Sequence, residues 1–251
     1  LAEDWPLFLS LRLAQGLILP ALLTALMTYA ASMVPSDQIR QSLSWYIAST
    51  ILGGFVGRAL SGMMNSFWDW RSALGIWSPF LILSSLAAVR LPGRLQSEFG
   101  RVRPGVFFDV LIQPGLRYAY LAILCVFMIF AGLLNVLPFR LGELDPGITS
   151  TTVGLAYGGY LTGFVLALAA HRLRYHLGSE RHTFALGIFL YAIGLTIFIL
   201  PSVRAAFGGM FVFCGGMFLI HTRLSGQINQ LQHRHRGLVN GAYIAAYYFG
   251  G

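Results

Sequence analysis

Lysine is absent from this 251-residue sequence, and nine acidic residues stand against seventeen arginines. Charged residues make up 10% of the chain, where a soluble domain carries about 25%, which excludes a cytosolic enzyme and a disordered chain alike. Cysteine is scarce: Cys125 and Cys214 lie in apolar runs without metal-binding or redox spacing. They read as small core residues and identify no redox compartment. A basic start is also lacking, since Leu1 is followed by Glu3 and Asp4, which does not suit a signal peptide. Ten-residue stretches of alternating polarity, the mark of a transmembrane barrel, are missing. What fills the chain is apolar, 56% of its positions. The composition is that of a helical membrane protein.

A spanning helix needs about 20 mostly apolar residues, because lipid offers no partner for an unpaired backbone group. Seven runs meet or approach that length: 7–34, 43–66, 73–89, 118–137, 152–170, 184–200 and 205–222. An eighth, 238–251, reads as truncated. Twelve arginines fall in the loops 35–42, 90–117, 171–183 and 223–236, whereas the alternate loops hold only Arg71, Arg140 and Arg204. Positive charge marks the cytoplasmic loops, so the first run enters from outside. The net charge of +8 is therefore a topology signal and not a nucleic-acid surface. The runs 73–89 and 184–200 carry no charge and are expected to face lipid.

The segment 91–115, with Pro92, Pro104 and Pro114, reads as a cytoplasmic linker. It separates 1–90, three spans ending one bundle, from 116–251, four spans and the truncated fifth. An internal repeat agrees: Tyr46-Ile47-Ala48 and Gly53-Gly54 recur as Tyr243-Ile244-Ala245 and Gly250-Gly251. Parallel halves of this kind are found in a large class of transporters.

Two arginines lie inside apolar runs. Arg12 sits within a turn of Gln15 and Gly16, which favours a protein-facing role over snorkelling to the near interface. Arg58 lies beside a stripe of small residues, Gly53, Gly57 and Ser61, followed by Gly62, and could line a pathway or pair locally. The fifth run carries two similar stripes, Gly154, Gly158 and Thr162, and Gly159, Gly163 and Ala167, and one of them is expected to meet the stripe of the second run. No acid lies in any span, so the buried arginines find their partner in further sequence or in an anion. Asn135, Tyr157 and Tyr160 are candidates for lining a substrate cavity, although aromatics in spans also serve packing. His171, His176, His182, His233 and His235 fit no zinc spacing and are interleaved with arginine, which suits an anionic lipid surface better than a metal. No catalytic set, metal site or cofactor is expected.

At these motifs the chain resembles the major facilitator superfamily of secondary transporters, especially its bacterial sugar and multidrug efflux branch. Arg12-Leu13-Ala14-Gln15-Gly16 is similar to the Arg-x-x-Gln-Gly motif of the family's fourth helix, whose Arg is associated with proton transfer. The segment 53–62 resembles the fifth-helix antiporter motif, with Arg58 in place of Pro and Ser61 in place of Gly. Trp70-Arg71 resembles the pair opening the sixth helix. The resemblance implies an all-α integral membrane protein of pseudo-twofold helix bundles, with about 8 of 12 transmembrane helices, four to eleven, present. It further implies proton-coupled efflux of a small molecule by alternating access, through Arg12, Gln15 and Arg58. Gly16, Gly53, Gly57, Ser61, Gly62, Gly154 and Gly158 would pack the helices. The protein is expected to act as a monomer in the bacterial inner membrane, with no nucleic-acid partner. The alternatives are an integral-membrane enzyme, such as a lipid-modifying transferase or intramembrane protease, and a transporter-like receptor without flux. By the repeat, the complete protein would have about 400 residues.

Overall fold

The computed structural model describes residues 5–90, 104–232 and 235–251, with the backbone alone at 70, 73, 74 and 104. Among the described residues all regular structure is helical: α1 (Trp5–Ser32), α2 (Ile39–Asn65), α3 (Trp70–Gly75), α4 (Trp77–Val89), α5 (Pro104–Ile112), α6 (Pro114–Leu144), α7 (Ser150–Ala156), α8 (Gly159–Leu177), α9 (Glu180–Phe198), α10 (Val203–Leu231) and α11 (Arg236–Gly250). Six segments are long and apolar enough to cross a membrane, namely α1, α2, α6, α7 with α8, α9 and α10. This is an all-α, multi-pass membrane protein.

Most helices outrun the hydropathic runs. The fourth run, 118–137, becomes α6, and the seventh, 205–222, becomes α10, which continues to Leu231. Apolarity stops at the first charged side chain, but backbone hydrogen bonding continues through it.

The third run, 73–89, differs in kind, because it breaks between Gly75 and Trp77. Pro79 has no N–H, and its ring crowds the carbonyl four residues back, that of Gly75. The 13 residues of α4 are then short for a span, and none is buried. α9, from the sixth run, is exposed on one side only, with Thr183, Gly187, Tyr191, Gly194 and Phe198 forming a buried face. Residues 91–103 of the expected linker lie outside the described residues. Pro104 and Pro114 each open a helix, at the position where a missing N–H costs nothing.

Contacts divide the chain into two compact units, Leu1–Leu43 with Gln96–Ala131 and Leu224–Gly251, and Ser44–Leu95 with Gly132–Arg223. Each unit draws residues from both sides of the expected linker. In the first unit α1 and α5 pack on α11. Phe127 stacks on Tyr247 with ring centroids 3.5 Å apart. The C-terminal end of α1, which has no basic residue of its own in the last turn, is capped from elsewhere. Ser42 Oγ donates to the Ala30 carbonyl at 2.7 Å and Arg236 Nη1 to that of Ala31 at 3.0 Å. These donors satisfy end carbonyls and put a cation at the negative end of the helix dipole.

In the second unit α9 and α10 approach through glycine. A Cβ on Gly209 would lie 2.6 Å from Phe198 N and 2.8 Å from Gly194 O, and one on Gly216 would lie 2.6 Å from Gly187 O. Such approach suits helix association in lipid, where dispersion and backbone contact replace the hydrophobic drive. Gly178, at φ 73°, ends α8 in the left-handed region. Ser179 then caps α9 by accepting from His182 N at 3.1 Å. Glu180 holds this corner through Arg174, at 2.7 Å, and the buried Arg223.

The adjacent glycines of α10 give a paired test. Gly209→Ala should lower thermal stability in detergent by about 1–3 kcal/mol through overpacking. Gly208, around which an added Cβ meets nothing within 4 Å, should tolerate Ala or gain up to about 1 kcal/mol from helix propensity. Equal effects at both positions would refute the close approach.

Candidate functional site

The broken segment α7–α8 builds the most distinctive constellation of the second unit. Thr149 starts α7 by accepting from Thr152 N at 3.2 Å. Regular turns stop at Tyr157 and Gly158, where the N–H groups of Tyr157, Gly158, Tyr160 and Leu161 donate to carbonyls three residues back. A tightened turn of this type, inside a spanning segment, is a common hinge geometry. Gly158 and Gly159 permit it. A Cβ on Gly159 would lie 2.5 Å from Met210 O, and one on Gly158 would lie 3.2 Å from the Phe211 ring. The turn puts Tyr157 and Tyr160 on one side, with ring centroids 6.4 Å apart and planes at 64°.

A second helix break fixes Tyr157. Pro138 lies inside α6 and cannot donate to the carbonyl of Leu134, four residues back. Tyr157 takes the vacant place, its hydroxyl donating to Leu134 O at 3.2 Å.

Arg58, on α2, reaches this pair. Its guanidinium carbon lies 5.4 Å from the Tyr157 ring centroid and 5.2 Å from that of Tyr160, and Nη1 donates to Gly54 O at 3.1 Å. A Cβ on Gly54 would lie 3.3 Å from both Nη1 and Tyr160 Cε1, so a larger residue there would press the guanidinium and the ring to give by a few tenths of an ångström. Among the described residues no carboxylate pairs with Arg58. Cation–π contacts contribute about 0.5–2 kcal/mol, against about 2.5–3.5 kcal/mol for inserting an Arg at membrane depth. The charge is partly compensated.

α2 and α7 meet one position away from the expected stripe. A Cβ on Gly62 would lie 2.9 Å from Ser150 O and 3.1 Å from Gly154 Cα, and one on Gly154 would lie 3.3 Å from Arg58 O. Ser66 and Thr151 hydroxyls, 2.8 Å apart, and Asn65 Nδ2 donating to Ser150 Oγ at 3.3 Å, extend the contact. Gly53 and Gly57 face space in which an added Cβ meets nothing within 4 Å. Ser61 accepts instead from Trp77 Nε1 at 2.9 Å. The approaching face is Gly54, Arg58 and Gly62, about 100° round the helix from Gly53, Gly57 and Ser61.

The remaining candidates are more dispersed. On α1, Arg12 Nη1 donates to Gln15 Oε1 at 3.0 Å, and its guanidinium lies 5.2 Å from the Phe8 centroid. Gly16 has open space and lies four residues before Pro20, which cannot donate to its carbonyl. Asn135 is exposed on α6. Of the histidines, His182 places Nδ1 3.0 Å from Leu177 O at the α8–α9 corner, and His233 lies outside the described residues.

Thr28, Asn229 and Asn240 carry no motif and escape a reading by sequence. In the first unit they form a buried chain: Asn229 Nδ2 donates to Asn240 Oδ1 at 2.7 Å, and Asn240 Nδ2 to Thr28 Oγ1 at 3.2 Å. Asn229 Oδ1 is buried without a hydrogen-bond partner among the described residues. The available sign was amide side chains beside apolar helices, where polar groups are costly unless paired.

The Pro138–Tyr157 arrangement makes a checkable coupling. Tyr157→Phe should cost about 1 kcal/mol of thermal stability, the worth of one hydrogen bond. In a Pro138→Ala background, where residue 138 can donate to Leu134 O, the same change should cost close to nothing. Additive effects in this double-mutant cycle would exclude the arrangement.

Comparison with known proteins agrees with the helical architecture. The family model of the Major Facilitator Superfamily matches residues 1–251. The chain is 28% identical to an inner membrane transport protein of Escherichia coli (strain K12), YnfM, over 98% of this chain and 60% of that protein. It is 25% identical to an uncharacterized transporter of Buchnera aphidicola subsp. Baizongia pistaciae, over 99% of this chain and 62% of the relative. The chain thus spans about three fifths of the length of the curated relatives it matches. No solved structure gives a significant match. With its match running along the entire sequence, the chain belongs to the Major Facilitator Superfamily.

Proposed function

We propose that the protein is a secondary active transporter that exports a small solute in exchange for protons, by alternating access between a bundle ending near residue 90 and one beginning near 116. The observation that carries this reading is the character of the contacts between those two parts of the chain. In the first unit they include the Asn240 to Thr28 hydrogen bond and the Arg236 cap on Ala31. In the second they include the Gly62–Gly154 approach and the small hydroxyls beside it. Contacts between polar tips and bare backbone can part and re-form without unlocking bulky side chains, as rocking bundles require. The Arg-rich loops flank the Thr28–Asn240 contact, which belongs on the cytoplasmic side in this reading and opens when the solute site faces inward. The inner membrane is the expected location, as in the name of the Escherichia coli relative. Proton coupling rests on Arg12 and Gln15, through the resemblance of their motif.

Flux in vesicles reconstituted with the full-length protein tests the reading. Solute accumulation in inverted vesicles should rise with an inside-acid gradient and collapse with a protonophore. Absence of flux for every solute of a broad panel would overturn it. Arg12→Ala should reduce flux at least tenfold without loss of membrane insertion, and Lys should substitute poorly because it lacks the planar fork. The rocking motion has its own check. In a Cys125→Ser, Cys214→Ala background, a disulfide between T28C and N240C should stop transport, and reductant should restore it. Undiminished flux in the cross-linked protein would rule out opening at this contact.

A further inference from the structure

The transporter reading leaves the solute unnamed, and the surroundings of Arg58 narrow its chemistry. Arg58 lies seven residues before the end of α2 at Asn65, so a side chain escaping to the near interface would extend toward Asn65. It turns the other way, with Nη1 donating to Gly54 O, one turn further into the span. The cation lies on an exposed part of α2 and faces Tyr157 and Tyr160 at 5.4 and 5.2 Å. The spanning runs contain no Asp or Glu, and no acidic side chain among the described residues pairs with it. The hydrogen bond to Gly54 O engages one of five guanidinium N–H donors. Beside it, Gly53 and Gly57 leave space that a side chain would fill, since an added Cβ at either meets nothing within 4 Å.

We infer that Arg58 is the anion-recognition residue of the solute site and that the solute is an organic anion, a carboxylate or sulfonate carried on a flat apolar body. The guanidinium edge offers paired donors matched to a planar carboxylate. The half-buried Tyr157 ring gives an apolar surface for the rest of the molecule, which a small inorganic anion would not use, while Tyr160 is buried and backs the guanidinium. Tyr157 contributes as a wall, because its hydroxyl is committed to Leu134 O. This inference rests on the transporter reading for the solute's passage, but binding can be measured without flux.

The test is equilibrium dialysis of labelled benzoate and benzenesulfonate against the purified full-length protein in detergent, with benzamide as the neutral counterpart. At least one anion should bind saturably and at least tenfold more tightly than benzamide. Arg58→Gln should weaken that anion at least tenfold and leave benzamide unchanged. Arg58→Lys, which keeps the charge and loses the fork, should weaken it at least threefold, and it provides the measurement if the Gln variant does not fold. Saturable binding of neither anion, equal binding of benzamide, or full anion affinity in Arg58→Lys and Arg58→Gln would overturn the assignment. A protein that moves neutral solutes and binds neither anion loses this site and keeps the transporter reading. One that binds benzoate through Arg58 and moves nothing keeps the site and loses the transporter reading.

Discussion

The hydroxyl of Tyr157 donating to the carbonyl of Leu134 ties α6 to the α7–α8 segment at the points where the regularity of each fails. A spanning helix cannot leave a backbone carbonyl unpaired in lipid, and Pro138 creates such a carbonyl by having no N–H to offer. The repair comes from another helix, and only because α7–α8 is itself broken at Tyr157 and Gly158. Two defects in helical regularity thus settle each other. Their common product is a fixed aromatic surface against which Arg58 lies.

Much of the fold is legible in the sequence because membrane helices obey one dominant constraint, the length of apolar chain between charged loops. Breaks inside a span are harder to read. Pro79 and the Gly158–Gly159 pair are visible as residue types, yet each could equally occur in an unbroken helix backed by neighbours. The stripe on α2 has a different difficulty. Gly53, Gly57 and Ser61 share a four-residue spacing with Gly54, Arg58 and Gly62, and spacing within one helix does not say which of two adjacent faces meets a partner. The neighbouring Gly154 chooses the second.

The Thr28–Asn240–Asn229 chain was hidden for a third reason. Asn229 falls in what hydropathy marks as the loop 223–236, but α10 continues to Leu231 and carries the side chain into the interior. Residues from Phe213 to Gly226 on this helix are all buried, so it enters crowded surroundings well before its polar end. Arg223 is tolerated there through Glu180, an acid that stands outside the apolar runs. The two arginines in the runs contrast with it: Arg12 leans on an amide and an aromatic ring, Arg58 on a carbonyl and two rings. Neutral partners hold a cation in place without cancelling its charge.

The Oδ1 of Asn229, without a hydrogen-bond partner among the described residues, bears on energetics beyond its own position. A buried acceptor with no donor costs about 1–3 kcal/mol, so the arrangement that buries it is less favourable than its two good hydrogen bonds suggest. A conformation of the first unit that brought that acceptor a donor would recover the difference, so the amide chain marks where this packing is least tightly held.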